Sequence, residues 1–438
     1  MSAANLKIGL CGLGTVGQGV TALLSESADD IQKKAGGSIE LTHIATRTAK
    51  PGLVGEGVKD SRDVLAVAND PEIDLVVELI GGTTVAYELV RTSLSNKKHV
   101  VTANKALLAE HGVELFKLAE AQGVALRYEA AVAGGIPIID AVKNSLAGNQ
   151  ITAVAGIING TGNFILTEMT HHGRDFSDVL KEAQALGYAE ADPSFDVDGT
   201  DAAQKLVLLA SLAFGVAIDA SAPFKQGVDG VSTSDIDNAR ALGYRIKHLG
   251  IAKYDGQAVE LRVHPTLIPE SLPIATVDGV LNAVMLQASG VGELMLIGPG
   301  AGSRPTASAV CADIIAVARE LLVNGKVDAR SVGLPCDQVS TCEIKAIDDV
   351  TSAWYLDIEH DDSVEAFEVF EQILSDSGIE ISSVTRLEGQ SSDRCHSVLV
   401  TKPATTALME AAVLSLTEPE TTHGRISRLR IEAFGDAK

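Results

Sequence analysis

Residues 6–24, LKIGLCGLGTVGQGVTALL, constrain the fold more than any other stretch of this chain. A short apolar run of β-formers ends at Cys11. Glycines follow at positions 12, 14 and 17, and a helical run begins at once. The GxGxxG spacing alone is a weak signal. Between a strand and a helix it predicts a dinucleotide-binding βαβ unit. Gly12 permits the tight turn, Gly14 lets the backbone approach a pyrophosphate, and Gly17 lets helix and strand pack closely. The helix N-terminus supplies N–H donors and a positive dipole end.

The pattern after this unit extends it. Strand-like runs at 39–47, 73–82, 99–105 and 124–132 alternate with helical runs at 63–70, 88–97 and 106–123. That alternation implies a parallel, doubly wound sheet of Rossmann type. After Pro137 the character changes. A helix is expected at 138–148, a β-rich run at 151–159, a helix at 176–187, and strands at 258–269 and 283–289. These suggest an α+β region with a mixed sheet. The run IGPGAGSRPTASAV, from 297, is a glycine turn feeding a long helix. The final segment reads β-α-β-β-α-β, a split βαβ motif. The expected division is 1–135, with a returning helix at 303–323; then 136–325; a linker at 326–348; and a module at 349–438.

Composition narrows the function classes. A net charge of −23 disfavours nucleic acid and anionic membranes as partners. Any anionic cofactor must therefore be held by local features. No apolar run approaches the roughly 18 residues of a membrane span. The N-terminus lacks the features of a signal peptide. Five widely spaced cysteines with no CxxC suggest reduced thiols, a cytoplasmic location and no zinc site.

At the cofactor end, the second strand runs into IATRTAK, with Arg47 where an NAD-binding chain normally places an acid. An arginine there suits a 2′-phosphate, so NADP is expected, with NAD as the alternative. Gly81 and Thr83 follow one central strand and Lys105 the next. Strand ends of this kind face the ligand crevice of such a sheet.

The segment GYAEADPSFDVDGTDAAQK, 187–205, sets Glu190, Asp192, Asp196, Asp198 and Asp201 before Lys205. An EF-hand is excluded, because from Asp196 the glycine falls at the fourth position and the twelfth is Val207. Asp201 and Lys205 are four apart on an expected helix with Thr200 as N-cap, so they share a face. A plain ion pair would explain that spacing. Lys205, however, runs straight into apolar helix. That suggests a buried ammonium able to act as acid or base.

The motifs GLGTVG, TANK, GIINGTGNFIL, GYAEADPSFDVDGTDAAQKL and GPGAGSRPTASAV together resemble the homoserine dehydrogenase family, from the N-terminus to about residue 325. The resemblance implies NAD(P)-dependent interconversion of L-homoserine and L-aspartate 4-semialdehyde, within threonine, methionine and isoleucine biosynthesis. It implies Lys205 as the catalytic proton donor, with Gly187, Glu190 and Asp201 binding substrate. It implies Leu13, Thr15 and Val16, with the three glycines, as phosphate-loop contacts. Arg47, Lys105 and Gly302 would also line the cofactor. Glu129 with the backbone of Val132, Gly134 and Ile136 would bind a monovalent cation, usually Na+. The region 136–325 would be catalytic and dimerising, giving a homodimer or homotetramer. The tail resembles an ACT module, often a sensor of threonine, although EHDDSVEAF lacks the glycine usual in ligand-binding examples. Two rivals remain: a non-catalytic NADP-binding regulator, and a related semialdehyde or hydroxy-acid dehydrogenase.

Overall fold

The computed structural model describes residues 5–388, 394–418 and 422–434. The chain forms two compact units. One comprises Met1–Val154, Ala203–Ala222 and Leu281–Cys342; the other comprises Ala155–Ala202, Pro223–Val280 and Glu343–Lys438.

In the first unit, β1 (Asn5–Cys11), β2 (Ser38–Ala45), β3 (Lys59–Ser61), β4 (Leu75–Glu78), β5 (His99–Thr102) and β6 (Leu126–Arg127) form one sheet in the order β3-β2-β1-β4-β5-β6. Every neighbouring pair is parallel. This is the doubly wound order, and its switch point lies between β1 and β4. The strands read as apolar runs because helices cover both faces. Leu6, Ile8, Leu10, Leu75 and Val77 are buried in one core with Val310, Ile314 and Val317 of the helix Ser303–Asn324. Two strands, Leu281–Ala288 and Gly292–Pro299, add an antiparallel hairpin.

Three local expectations are corrected. The run 124–132 is a strand only at Leu126–Arg127; Glu129–Ala131 is a 3-10 turn. The run 138–148 is a single α-turn, Ile138–Asp140, followed by a π-turn, Ala141–Ser145. The helical run thus stops at Ser145 and widens after its first turn, whose Ile139 and Asp140 N–H groups are held by the Glu129 carboxylate. The glycine turn expected from 297 starts later, because 297–299 still belong to the strand Gly292–Pro299.

In the second unit, Tyr244–Tyr254 and Ala258–Pro269 form a long antiparallel pair. The tail has the expected β-α-β-β-α-β order. Its strands run Thr422–Ile431, Thr351–Asp361, Arg394–Thr401, Ile381–Glu388, all antiparallel to their neighbours. The last strand also pairs, in parallel, with Ala258–Pro269 through Thr266↔Arg430 and Leu267↔Ile431. Beside that seam the fully buried Arg262 pairs with Glu432 at 2.6 Å. Arg430 lies over the rings of Trp354 and Phe224. Among the described residues no helix is long and apolar enough to cross a membrane.

Candidate active site

The glycine turn is built as its spacing predicts. Gly12 has φ +102, and a Cβ there would sit 2.5 Å from the carbonyl oxygen of Leu79. A Cβ on Gly17 would meet the oxygen of Gly12 at 2.2 Å, so helix and strand are in contact. A Cβ on Gly14 would meet nothing within 4 Å. The backbone there is open and exposed. Thr15 and Val16 begin the helix Thr15–Glu26, which has no side-chain cap and no acid in its first turn. Its free N–H groups and dipole end therefore form an anion cradle. Leu13 is buried beneath the turn. Gly302, at φ +111, precedes a second helix, and Ser303 Oγ donates to Thr15 O at 2.7 Å. The returning glycine loop is thus fastened to the phosphate turn. The donor set and the open space fit a dinucleotide.

One residue that sequence reasoning passed over organises the neighbouring loops. Glu78, fully buried at the end of β4, accepts N–H bonds from Ile80 at 2.8 Å and Gly81 at 3.1 Å. Its other oxygen accepts from Thr102 Oγ1 at 2.5 Å, at the end of β5. Asn104 then spans the two loops, donating to Gly82 O at 2.7 Å and capping the helix Lys105–Gln122. Gly81 and Gly82 both take φ +73. Thr83 and Lys105 each open or precede a helix at this rim, and Arg47 projects, exposed, just past β2. A carboxylate inside an apolar strand, followed by a glycine pair, was the available signal.

In the second unit the acidic segment is a pinned turn. Asp192 accepts from Ser194 N and Oγ. Thr200 opens the helix Thr200–Phe214 instead of capping it, and its N–H is accepted by Asp198 at 2.7 Å. Asn159 is the residue that sequence reasoning missed. It caps the helix Gly160–His172 through Gly162 N at 2.7 Å. Its amide nitrogen donates to Asp196 at 2.8 Å and to Asp201 at 2.9 Å. Thr161 Oγ1 donates to Tyr188 O at 2.7 Å, which ties down the turn at Gly187, itself at φ +76. Asp201 is therefore buried and held, whereas Glu190 is exposed on the same turn. Lys205 follows Asp201 by one helical turn. It is partly exposed, less buried than its sequence suggested.

The proposed cation loop is sharply curled. Ala133 and Gly134 take φ +53 and +42 in succession. Glu129 does not point into solvent: its two oxygens accept N–H bonds from Ile139 and Asp140 at 2.8 and 2.7 Å. Burial, with Asp313 adding to it, pushes its carboxyl up to about 7. Burial likewise pushes Asp313, which accepts the Glu129 N–H, up to about 7. Val132 and Ile136 are buried beside it. Two buried acids beside a loop of successive left-handed residues fit a hard cation. No cluster of three His, Cys, Asp or Glu that could hold a metal ion occurs among the described residues.

A parallel sheet with a glycine cradle at its switch point defines an α/β oxidoreductase with an NAD-binding domain. The profile of the homoserine dehydrogenase NAD-binding domain matches residues 12–129, and the homoserine dehydrogenase profile matches residues 137–315. A homoserine dehydrogenase from Pseudomonas aeruginosa is 46% identical, covering 98% of this chain and 99% of its own. The crystal structure of a homoserine dehydrogenase from Thiobacillus denitrificans superposes with a TM-score of 0.93 at 42% identity, covering 99% of each chain. A hyperthermophilic archaeal homoserine dehydrogenase solved in complex with NADPH gives a TM-score of 0.61 at 26% identity, covering 72% of this chain and 98% of its own. The chain belongs to the homoserine dehydrogenase family.

Proposed function

We propose that the enzyme interconverts L-homoserine and L-aspartate 4-semialdehyde, with Lys205 as proton donor and acceptor. The observation that carries this reading is the Asn159 amide, which fixes Asp201 one helical turn before Lys205 and ties Asp196 to the same point. Homoserine has an α-ammonium and a distal hydroxyl. The exposed carboxylate of Glu190 and the held carboxylate of Asp201 suit the ammonium. Lys205 suits the oxygen, where its ammonium offsets the charge that develops during the reaction. The nicotinamide, when bound, supplies or accepts the hydride. The protein contributes alignment and proton transfer. Gly187 leaves backbone exposed beside the substrate.

NADP is the proposed cofactor. Arg47 is exposed past β2, and Arg62 donates to Thr46 O at 3.1 Å on the same rim. Glu129, Val132, Gly134 and Ile136 would hold the monovalent cation, which brings charge compensation to Glu129 and Asp313. In the tail, Asp362 is ion-paired with Arg386 and Asp361 is hydrogen-bonded to His423, so both acids already have partners. That favours an assembly role over threonine sensing.

The test is homoserine-dependent reduction of NADP, followed by absorbance, in wild type and Lys205→Ala. The variant is expected to bind NADPH normally and to lose turnover by roughly 10²–10⁴-fold. Near-normal turnover would remove Lys205 from the chemistry. No turnover by wild type would favour the regulator reading.

A further inference from the structure

We propose that Glu78 biases the cofactor site towards the oxidised, cationic form of the nicotinamide. This rests on the reading of NADP as cofactor, and it adds an electrostatic role to a residue that otherwise only fastens loops. The reduced nicotinamide ring is neutral and the oxidised ring is a cation. A fixed anion beside the crevice therefore stabilises the second and leaves the first almost untouched.

Position is the first support. The order β3-β2-β1-β4-β5-β6 divides at the switch point into two mononucleotide halves. With Arg47 past β2 on the adenosine side, β4 and β5 flank the nicotinamide side. At the crevice, β1 closes on Cys11, β5 on Thr102 and β4 on Glu78, so of these three only β4 brings a carboxylate. Leu79 N donates to Cys11 O at 2.8 Å, which sets Glu78 one residue from the strand that feeds the phosphate turn. Gly81 and Gly82 are exposed, and a Cβ on either would meet nothing within 4 Å. The crevice is thus open above the loop that the carboxylate holds.

Charge is the second support. Glu78 Oε1 accepts from Ile80 N and Gly81 N, and Oε2 accepts from Thr102 Oγ1. Thr102 Oγ1 in turn accepts from Asn104 N at 3.0 Å, leaving its own proton for Glu78. Glu78 is therefore an acceptor in every contact, the pattern of an ionised carboxylate. Its partners are neutral, and among the described residues no cation lies within ion-pair distance of it. Burial raises the Cys11 thiol, with Glu78 the next cause, so the neighbouring strand end stays neutral. Holding the two loops needs only acceptors, and the oxygen of a glutamine amide would serve the two backbone N–H groups as well. What the carboxylate adds is its charge, inside a fully buried strand end where water screens it little. On the enzyme this favours the direction that oxidises the cofactor; the overall equilibrium is unchanged.

The test is equilibrium binding of NADPH and NADP+ without substrate, by fluorescence titration of NADPH and its displacement by NADP+. Wild type, Glu78→Gln and Glu78→Asp are compared, with thermal midpoints to verify that each is folded. In Glu78→Gln the affinity for NADP+ should fall about fivefold or more relative to that for NADPH, because the ring's counter-charge is gone. Glu78→Asp keeps the charge on a shorter side chain. Its ratio of the two affinities should stay within about twofold of wild type, even as both affinities fall together. Equal losses for both forms in Glu78→Gln would reduce the residue to a loop fastener and overturn the proposal. A ratio in Glu78→Asp displaced as far as in Glu78→Gln would overturn it as well. Binding of neither form by wild type would instead overturn the cofactor reading on which it rests.

Discussion

Asn159 settles how one turn can carry five carboxylates without flying apart. Its amide nitrogen bridges Asp196 and Asp201, while its oxygen caps a helix. Asn159→Asp would place a third negative charge between them. KM for homoserine should then rise by at least about tenfold, more than in Asn159→Ala, where unmet buried partners cost ~1–3 kcal/mol. Steady-state kinetics on the pair decide it; a normal KM in Asn159→Asp would show that the bridge is dispensable. Gly17 is the second sensitive position. A methyl group there would press on Gly12 O from 2.2 Å, so Gly17→Ala must open the phosphate turn. NADPH affinity measured by fluorescence titration should drop by about tenfold or more, because the pyrophosphate relies on close backbone approach. The glycines were legible because each has one geometric job tied to spacing. Asn159 and Glu78 were not, since their partners lie 37 to 42 and 24 residues away in sequence.

Elements with strong period or punctuation were read correctly, and those shaped by a distant partner were not. The strand β1, the helix Lys105–Gln122 and the tail's β-α-β-β-α-β order follow from apolar patterning and glycine stops. The π-turn at Ala141–Ser145 and the 3-10 turn at Glu129–Ala131 do not: the second begins on an N–H held by the distant Asp313, and the first follows a turn held by the Glu129 carboxylate. Nor does sequence announce that the final strand Thr422–Ile431 joins Ala258–Pro269. That seam makes the tail integral to its unit. Glu432→Ala would leave Arg262, fully buried, with Glu260 at 3.5 Å as its remaining carboxylate and two neutral contacts at 3.4 Å, Ser352 Oγ and His264 Nε2. Breaking such a pair costs ~3–5 kcal/mol, and urea unfolding should show a loss of that order. A loss under about 1 kcal/mol would mean the guanidinium finds another acceptor.

Acid sensitivity should be spread over both units. Burial lowers His99 in the first and His248 in the second to about 4. The geometry agrees: His99 Nδ1 accepts from Ala125 N at 3.0 Å, which requires a neutral ring. Each imidazole would take a proton near 6.5 when unfolded and resists until about 4 when folded. Between those values the unfolded chain binds more protons. Stability is therefore complete above 6.5 and falls as pH drops towards 4. Calorimetry should find a thermal midpoint that declines across this window, with a shallower slope in His248→Asn. An unchanged slope in that variant would show that His248 does not contribute to the decline.

The two units are also interleaved in the chain: each is made of three separated segments. During translation the first unit has its sheet by Val154 but lacks the helix Ser303–Asn324 that completes its core. At about 5–20 residues per second, the ribosome needs roughly ten to forty seconds to deliver the remainder. The nascent sheet spends that interval without the helix that covers one of its apolar faces. The same threading means no single cut of the gene releases either unit intact.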